Sequence, residues 1–131
     1  IVKRGVLGQK SAGGGSTITQ QLAKQLYSEQ AHSTIERLLQ KPIEWVIAVK
    51  LERTYTKDEI LTMYLNYFDF LHNAVGIKTA SNVYFSKEPK DLTVTESATL
   101  VGLCKNVSYF NPVRNPERSR DRRNVVLAQM V

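Results

Sequence analysis

The residues from 13 to 21 combine glycines with polar side chains in a pattern that favours ligand binding. Three glycines at positions 13 to 15 precede Ser16, Thr17, Gln20 and Gln21. Glycine allows a ligand to approach the backbone closely, and a helix start offers free N–H groups and a positive dipole end to an anion. The stretch predicts a site for a phosphate or a polyol. It lacks the Lys-Ser or Lys-Thr pair of a nucleotide-binding phosphate loop and the GxGxxG pattern.

Helix capping explains part of the same polarity. Thr17 and Gln20, three residues apart, match a capping box, in which each side chain satisfies a backbone N–H at the start of a helix. From the residues alone, capping and ligand binding both stay open for this stretch.

Lys41 and Glu44 form a second candidate pair. They lie three residues apart, which places both on one side of a helix and makes a plain salt bridge the simplest interpretation. Glu44 also stands at the entrance to the apolar run Ile43–Val49, and a carboxylate in apolar surroundings can be adapted to acid or base catalysis. The residues themselves leave both interpretations open.

The remaining reactive side chains are interpreted as structural. Cys104 is the only cysteine, which excludes an internal disulfide, and it resembles a small core residue. His32 and His72 are isolated and lack the spacing of metal ligands, so no metal ligand is assigned. The net charge of +6 favours an anionic partner. Five arginines near the C-terminus predict a solvated helix face, being too spread for one stripe: Arg114, Arg118, Arg120, Arg122 and Arg123.

The elements that carry these residues are predicted to be helical. A first helix from near Thr17 to about Ser28 directs Ile18, Leu22 and Leu26 towards a core. A helix is also expected from Ala74 to Tyr84. Other helix starts are predicted by capping boxes and by an Asn-Pro pair, at Ser33, Thr56, Thr93 and Asn115.

Two further expectations concern the middle of the chain. Pro42 is expected to interrupt the helix that starts at Ser33 or to begin a new one. The run Ile43–Val49 is apolar on nearly every face, which predicts a centrally buried helix. The stretch Trp45–Val49 is too short to cross a bilayer, and 131 residues suit one domain. The chain starts at Ile1 without a methionine, so we expect a fragment whose targeting segment and anchor lie upstream.

Motifs over most of the chain resemble the peptidoglycan glycosyltransferase domain of class A penicillin-binding proteins and monofunctional transglycosylases. Residues 14–24, Gly-Gly-Ser-Thr-Ile-Thr-Gln-Gln-Leu-Ala-Lys, resemble the family's second signature. Residues 41–44, with Ala48, Leu51 and Glu52, resemble the third motif, and residues 55–61 with Tyr64-Leu65-Asn66 the fourth. Later stretches follow in the family's order: 76–85, 91–98, 111–117 and 122–130.

The resemblance implies a mainly α, lysozyme-like domain over residues 1–131, single but incomplete at its N-terminal side. It implies an enzyme that polymerises lipid II into glycan strands and releases undecaprenyl diphosphate, at the outer face of the bacterial cytoplasmic membrane. The implied partners are lipid II, the growing lipid-linked glycan strand, the anionic membrane surface and a transpeptidase domain in the complete chain, but no nucleic acid. Moenomycin, which mimics the lipid-linked donor, is expected to bind.

Site residues follow from the resemblance by position. Ser16 and Gln20 are expected to line the substrate cleft, together with Thr17 and Gln21. Two lysines, Lys24 and Lys41, are expected to contact the diphosphate. Glu44 matches the family's second glutamate, which orients substrate or assists the leaving phosphate. A divalent cation, Mg²⁺ or Mn²⁺, is expected from the family and has no assigned ligand here.

The chain departs from the family pattern in four places. The first motif, with the glutamate that acts as general base, is absent from Ile1–Ala12, so the isolated polypeptide is expected to be inert. Gln40 stands where the family usually has arginine, and Cys104 where it often has proline. Residues 68–73 replace a segment that commonly contains glycine.

Two other classes compete with this interpretation. A lysozyme-like lytic muramidase would share a helical fold, but it needs no lysines for a diphosphate and lacks the second signature. A basic helical nucleic-acid-binding module would suit the charge, but it should gather its arginines on one recognition helix.

Overall fold

The computed structural model describes residues 17–27 and 33–131, which form α-helices joined by turns. Within these residues the only β-type pairing is an isolated bridge between Asp69 and Val75, so the mainly α prediction is confirmed. The helices are α1 Ile18–Tyr27, α2 Thr34–Thr54, α3 Lys57–Tyr67, α4 Ile77–Phe85, α5 Val94–Leu103 and α6 Pro116–Ala128, with a 3₁₀ turn at Pro89–Asp91.

Contacts divide the chain into two compact units, Ile1–Tyr64 and Leu65–Val131. The first contains α1, α2 and most of α3, and the second contains α4, α5 and α6. The single domain expected over residues 1–131 stays a prediction. In the described ranges, no helix is long and apolar enough to span a bilayer. The calls on Ser16, His32, the glycines at 13–15 and residues 1–12 lie outside the described residues.

Capping boxes start three of the helices that follow α1 where the sequence predicts them. At the start of α2, Ser33 Oγ accepts the Glu36 N–H at 3.1 Å and the Glu36 carboxylate accepts the Ser33 N–H at 3.1 Å. Such reciprocal bonds satisfy N–H groups that have no partner inside the helix. The three boxes are Ser33 with Glu36, Thr56 with Glu59, and Thr93 with Glu96. The last helix starts at Pro116 after Asn115, also as predicted.

Helix α2 contradicts the expectation for Pro42, which lies inside a continuous helix of 21 residues. A proline in a helix interior forfeits one hydrogen bond and crowds the preceding turn. The helix continues here because its start is capped and because it packs along α1. These contributions come from outside the local sequence around Pro42.

The expectation that Ile43–Val49 is buried on every side is wrong. The buried positions of α2 are Glu44, Ala48 and Leu51, spaced as one face of a helix. Most of the apolar side chains of the run lie on the other faces and stay exposed. The exposed ones are Ile43 at 57%, Trp45 at 51%, Val46 at 70% and Val49 at 49%.

Helix α1 begins and ends as predicted but is rotated from its expected orientation. Leu22 and Ala23 are fully buried and Thr19 is 7% exposed, whereas Ile18 is 43% exposed. The buried positions follow an i, i+3, i+4 pattern that starts at a threonine. Of the three residues expected to face a core, Leu22 is buried, Leu26 is half-buried and Ile18 is exposed.

The second unit packs around a cluster that includes Phe70, Leu100 and Leu103. Cys104 lies partly buried against this cluster, in keeping with its interpretation as a core residue. The arginine prediction is only partly correct, because Arg122 packs on Gly102 and has its Nε buried without a partner. Arg118 stacks over the Tyr109 ring at 4.4 Å. Aromatic contacts thus explain part of the arginine-rich helix.

The loop between α3 and α4 holds three consecutive residues in the left-handed region: Leu71 at φ 65°, His72 at 54° and Asn73 at 60°. This lies within the segment where the family commonly has glycine. The predicted helix from Ala74 starts only at Ile77, because Gly76 has φ 85°. A Cβ on Gly76 would lie 2.8 Å from the Asn66 carbonyl oxygen, so no side chain fits there.

Asn111, which is fully buried, holds this loop. Its Oδ1 accepts two backbone N–H groups of the following turn at 3.0 and 3.2 Å. Its Nδ2 therefore faces the Tyr84 hydroxyl and His72 Nε2, each at 3.2 Å. The Tyr84 hydroxyl donates to the Phe70 carbonyl at 2.6 Å. Burial raises the pKa of Tyr84, although the Asn111 hydrogen bond opposes this, so the phenol stays a donor.

Replacing Leu71 with glycine tests the strain in this loop. A left-handed L-residue costs roughly 1–2 kcal/mol, which glycine avoids. We expect the free energy of unfolding in urea to be at least about 1 kcal/mol higher for Leu71→Gly than for Leu92→Gly, because only the substitution at Leu71 relieves strain. Leu92, also partly buried but with φ −66°, is the matched control. Equal losses in the two variants would show that Leu71 is unstrained.

The lowered pKa of Glu96 predicts that its contribution to stability is lost in acid. Hydrogen bonds from Lys87 and from the Thr93 N–H lower the pKa of Glu96 below its ordinary value of 4.5. A lowered pKa means that the stabilisation is present above the ordinary value and is lost as the pH falls through the lowered one. The melting temperature of the wild type should therefore approach that of Glu96→Gln on acidification. Glu117→Gln is the control, and a constant gap between wild type and Glu96→Gln would contradict the prediction.

Candidate functional site

The predicted site residues that the structure describes all lie in the first unit. Helix α1 carries Gln20, Gln21 and Lys24, and it packs against α2, which carries Lys41 and Glu44. The two helices thus bring both polar groups of the sequence analysis into one compact unit. Ser16 lies outside the described residues.

Thr17 and Gln20 form the predicted capping box at the start of α1. The Gln20 N–H donates to Thr17 Oγ1 at 3.2 Å, and the Thr17 N–H donates to Gln20 Oε1 at 3.1 Å. The carbonyl oxygen of the Gln20 side chain therefore serves the helix start. Towards a ligand, Gln20 can offer its amide nitrogen as a donor and the second lone pair of Oε1 as an acceptor.

Gln21 has a different partner from its neighbour. The hydroxyl of Tyr64, on α3, donates to Gln21 Oε1 at 3.1 Å. Tyr64 is only 4% exposed, whereas Gln21 is half-buried and Lys24, one turn further along α1, is exposed. The sequence alone does not indicate this contact, because the two residues lie 43 positions apart.

Lys41 and Glu44 form the salt bridge that their spacing predicts. Lys41 Nζ lies 3.0 Å from Glu44 Oε2, with the lysine side chain 56% exposed and the glutamate side chain 5% exposed. A buried carboxylate needs such a partner. An ammonium group has three donors, so Lys41 can keep this bond and still donate to the oxygen of an anion in solvent.

The described residues do not assemble a metal site of their own. Among residues 17–27 and 33–131, no three His, Cys, Asp or Glu side chains converge as ligands. Glu44, the carboxylate among the predicted site residues, already accepts a hydrogen bond from Lys41. The divalent cation expected from the family stays a prediction, and we assign no chemical step to it.

The first unit also has a cavity of about 420 Å³. It lies where the start of α1 meets the end of α2 and the start of α3, and most of its lining is apolar. None of the predicted site residues lines it. The lining residues are Ile18, Thr19, Glu52, Tyr55, Lys57, Ile60 and Leu61.

Comparisons with known proteins agree with the motifs. The family model described as Transglycosylase matches residues 2–131. Penicillin-binding protein 1F of Bacillus subtilis is 43% identical over 129 residues, which are 98% of this chain and 18% of the relative. Penicillin-binding protein 1A of Aquifex aeolicus is 44% identical over 119 residues, 90% of this chain and 16% of the relative. Penicillin-binding protein 2a of Streptococcus pneumoniae is 42% identical over 120 residues, 92% and 16% respectively.

The capping box predicts how stability responds at the start of α1. Thr17→Ala removes the acceptor of the Gln20 N–H, and loss of such a cap costs about 1 kcal/mol. Gln25→Ala, at an exposed position of α1, leaves the box intact and should lower the free energy of unfolding less. Urea unfolding of the two variants checks this order, and a larger loss for Gln25→Ala would contradict the assignment of Thr17 to the cap.

Proposed function

Because this chain belongs to the transglycosylase family, we propose that the protein is a peptidoglycan glycosyltransferase of bacterial cell-wall synthesis. The observation that carries the proposal is the family match over residues 2–131. It favours the transferase over the lytic muramidase and nucleic-acid-binding alternatives. The chain spans less than a fifth of each of the three relatives named above, at 18%, 16% and 16% of their length, so the activity of the complete protein is part of the proposal.

The proposed reaction joins the sugars of lipid II into a glycan strand. The 4-hydroxyl of the acceptor sugar attacks the anomeric carbon of the donor and loses its proton to a base. The bond from that carbon to the phosphate oxygen breaks, and undecaprenyl diphosphate leaves with the electron pair. Negative charge therefore develops on the leaving diphosphate, where fixed cations stabilise it most effectively.

Lys24 and Lys41 are the proposed contacts of that diphosphate. Lys24 is exposed on α1, and Lys41 is exposed while bonded to Glu44. The buried Glu44 holds the Lys41 ammonium at a fixed point on α2, so the cation is ordered before the diphosphate arrives. The general base lies in the family's first motif, for which residues 1–12 of the sequence supply no glutamate.

The proposed setting is the outer face of the cytoplasmic membrane, where lipid-linked substrates reside. The net charge of +6 suits anionic headgroups. A transpeptidase domain in the complete protein and binding of moenomycin, the mimic of the donor, complete the proposal.

Polymerisation of lipid II by the complete protein tests the function and the role of Lys41. We expect the wild type to form glycan strands and Lys41→Gln to lose about a hundredfold in rate, as when a charge-stabilising donor is removed. Lys50→Gln, another exposed lysine on α2, is the control and should keep the wild-type rate. The isolated 131 residues should form no polymer.

Each outcome bears on a separate part of the proposal. A complete protein that forms no polymer from lipid II would contradict the proposed activity. Equal rates for Lys41→Gln and Lys50→Gln would remove Lys41 from the diphosphate site and leave the activity standing. Polymer made by the isolated chain would show that the base lies within these residues.

A further inference from the structure

We propose that the cavity of the first unit binds a zwitterionic phospholipid, with an acyl chain inside the cavity and the headgroup at its rim. The cavity has a volume of about 420 Å³, and none of the predicted site residues lines it. Ligand pockets of this size take one small organic molecule. The inference therefore concerns a second binding site and does not depend on glycosyl transfer.

The walls of the cavity suit an apolar chain. Ile18 of α1 and Ile60 and Leu61 of α3 contribute aliphatic side chains to its lining. Ile18 is 43% exposed and Leu61 is 37% exposed, so both keep apolar surface in contact with water. Covering that surface with a hydrocarbon chain is favourable, because it removes apolar area from water.

Thr19 adds a buried polar atom to the lining. It is only 7% exposed and lines the cavity, and within the described residues its hydroxyl makes no hydrogen bond. A buried hydroxyl without a partner costs free energy. It can donate to the ester carbonyl that joins an acyl chain to glycerol. This unpaired hydroxyl favours a ligand with an acceptor next to its chain over a plain hydrocarbon.

The two charged residues of the lining have opposite signs, and both are exposed. Glu52 lies near the end of α2 and Lys57 at the start of α3. In the part of the chain that the structure describes, neither forms an ion pair. Tyr55 lines the same cavity and is 43% exposed. A carboxylate and an aromatic ring attract an ammonium group, and a lysine attracts a phosphate. The rim thus complements a headgroup that carries both charges.

Helix ends hold the backbone of this rim. The Tyr55 N–H donates to the Leu51 carbonyl at 2.9 Å, at the end of α2. At the start of α3, Thr56 Oγ1 accepts the Glu59 N–H at 3.3 Å, and the Glu59 carboxylate accepts the Thr56 N–H at 2.7 Å. The backbone that carries Tyr55 and Lys57 is therefore ordered before a ligand arrives, which lowers the entropy cost of binding.

Titration calorimetry of the complete protein tests the inference, with the protein held in an amphipol so that no detergent competes. The probe is monomeric dihexanoylphosphatidylethanolamine. The control is dihexanoylphosphatidylglycerol, which has the same chains and phosphate but no ammonium group. We expect saturable binding of the probe and an affinity about tenfold lower for the control, because the control forgoes the contacts with Glu52 and Tyr55.

Matched variants assign the binding to the cavity. Lys57→Gln should weaken binding of the probe about tenfold, because it removes a charged donor to the phosphate. Lys50→Gln changes an exposed lysine outside the lining and should keep the wild-type affinity. Leu61→Trp should abolish binding by filling the cavity. Val46→Trp, at an exposed position of α2 outside the lining, is its control.

Thr19→Val tests the buried hydroxyl with two measurements. It removes the hydroxyl and keeps a side chain of similar shape, so the affinity for the probe should fall about fivefold. The melting temperature without the probe should not fall, because the hydroxyl makes no hydrogen bond within the described residues. A lower melting temperature at unchanged affinity would show that the hydroxyl serves the fold and not a ligand.

The outcomes distinguish this inference from the proposed function. Absence of saturable binding would overturn the inference, and so would equal affinities for the two lipids or for Lys57→Gln and Lys50→Gln. These results leave the polymerisation of lipid II, and with it the proposed function, unaffected. A complete protein that binds the probe with the expected differences but forms no polymer would support the second site and contradict the proposed function alone.

Discussion

The packing of α1 against α2 is the contact on which the candidate site depends. Both helices have buried small or apolar positions, among them Leu22 and Ala23 on α1 and Ala48 on α2. Alanine at such positions lets two helix backbones approach closely, since no longer side chain has to be accommodated between them. Because one face of each helix is packed, the directions of its remaining faces are fixed. Lys24 is therefore exposed, whereas Glu44 is buried.

Burial of Glu44 gives the site its electrostatic character. A charged group that leaves water loses hydration, and only a close opposite charge or several hydrogen bonds compensate. Lys41 provides such a charge, because its Nζ lies 3.0 Å from Glu44 Oε2. The lysine side chain is the more exposed of the two. The pair thus places an ordered cation at the surface and its counter-charge beneath it. In a site for a diphosphate this arrangement is useful, because the ammonium keeps donors for a ligand and is held by a bond that the ligand does not need to replace.

The local part of this architecture could be read from the sequence, and the non-local part could not. The boxes at Ser33 and Thr93 involve residues three positions apart, so their geometry depends on the helix start alone. The same holds for the pair of Lys41 and Glu44. The rotation of α1, the continuity of α2 through Pro42 and the Tyr64 contact depend on which helix lies beside which. Periodicity within one helix contains no information about its neighbour, which is why the run Ile43–Val49 was assigned to a core.

The loop between α3 and α4 shows how side chains other than glycine are held in the left-handed region. Glycine is the residue that adopts a positive φ without cost, yet Leu71 and His72 adopt it here. Residues other than glycine keep a left-handed conformation where several surrounding contacts hold them in it. The fully buried Asn111 does so by bonding at once to the Tyr84 hydroxyl, to His72 and to its own turn. The network is built from residues of the second unit, whereas the residues named for the candidate site belong to the first.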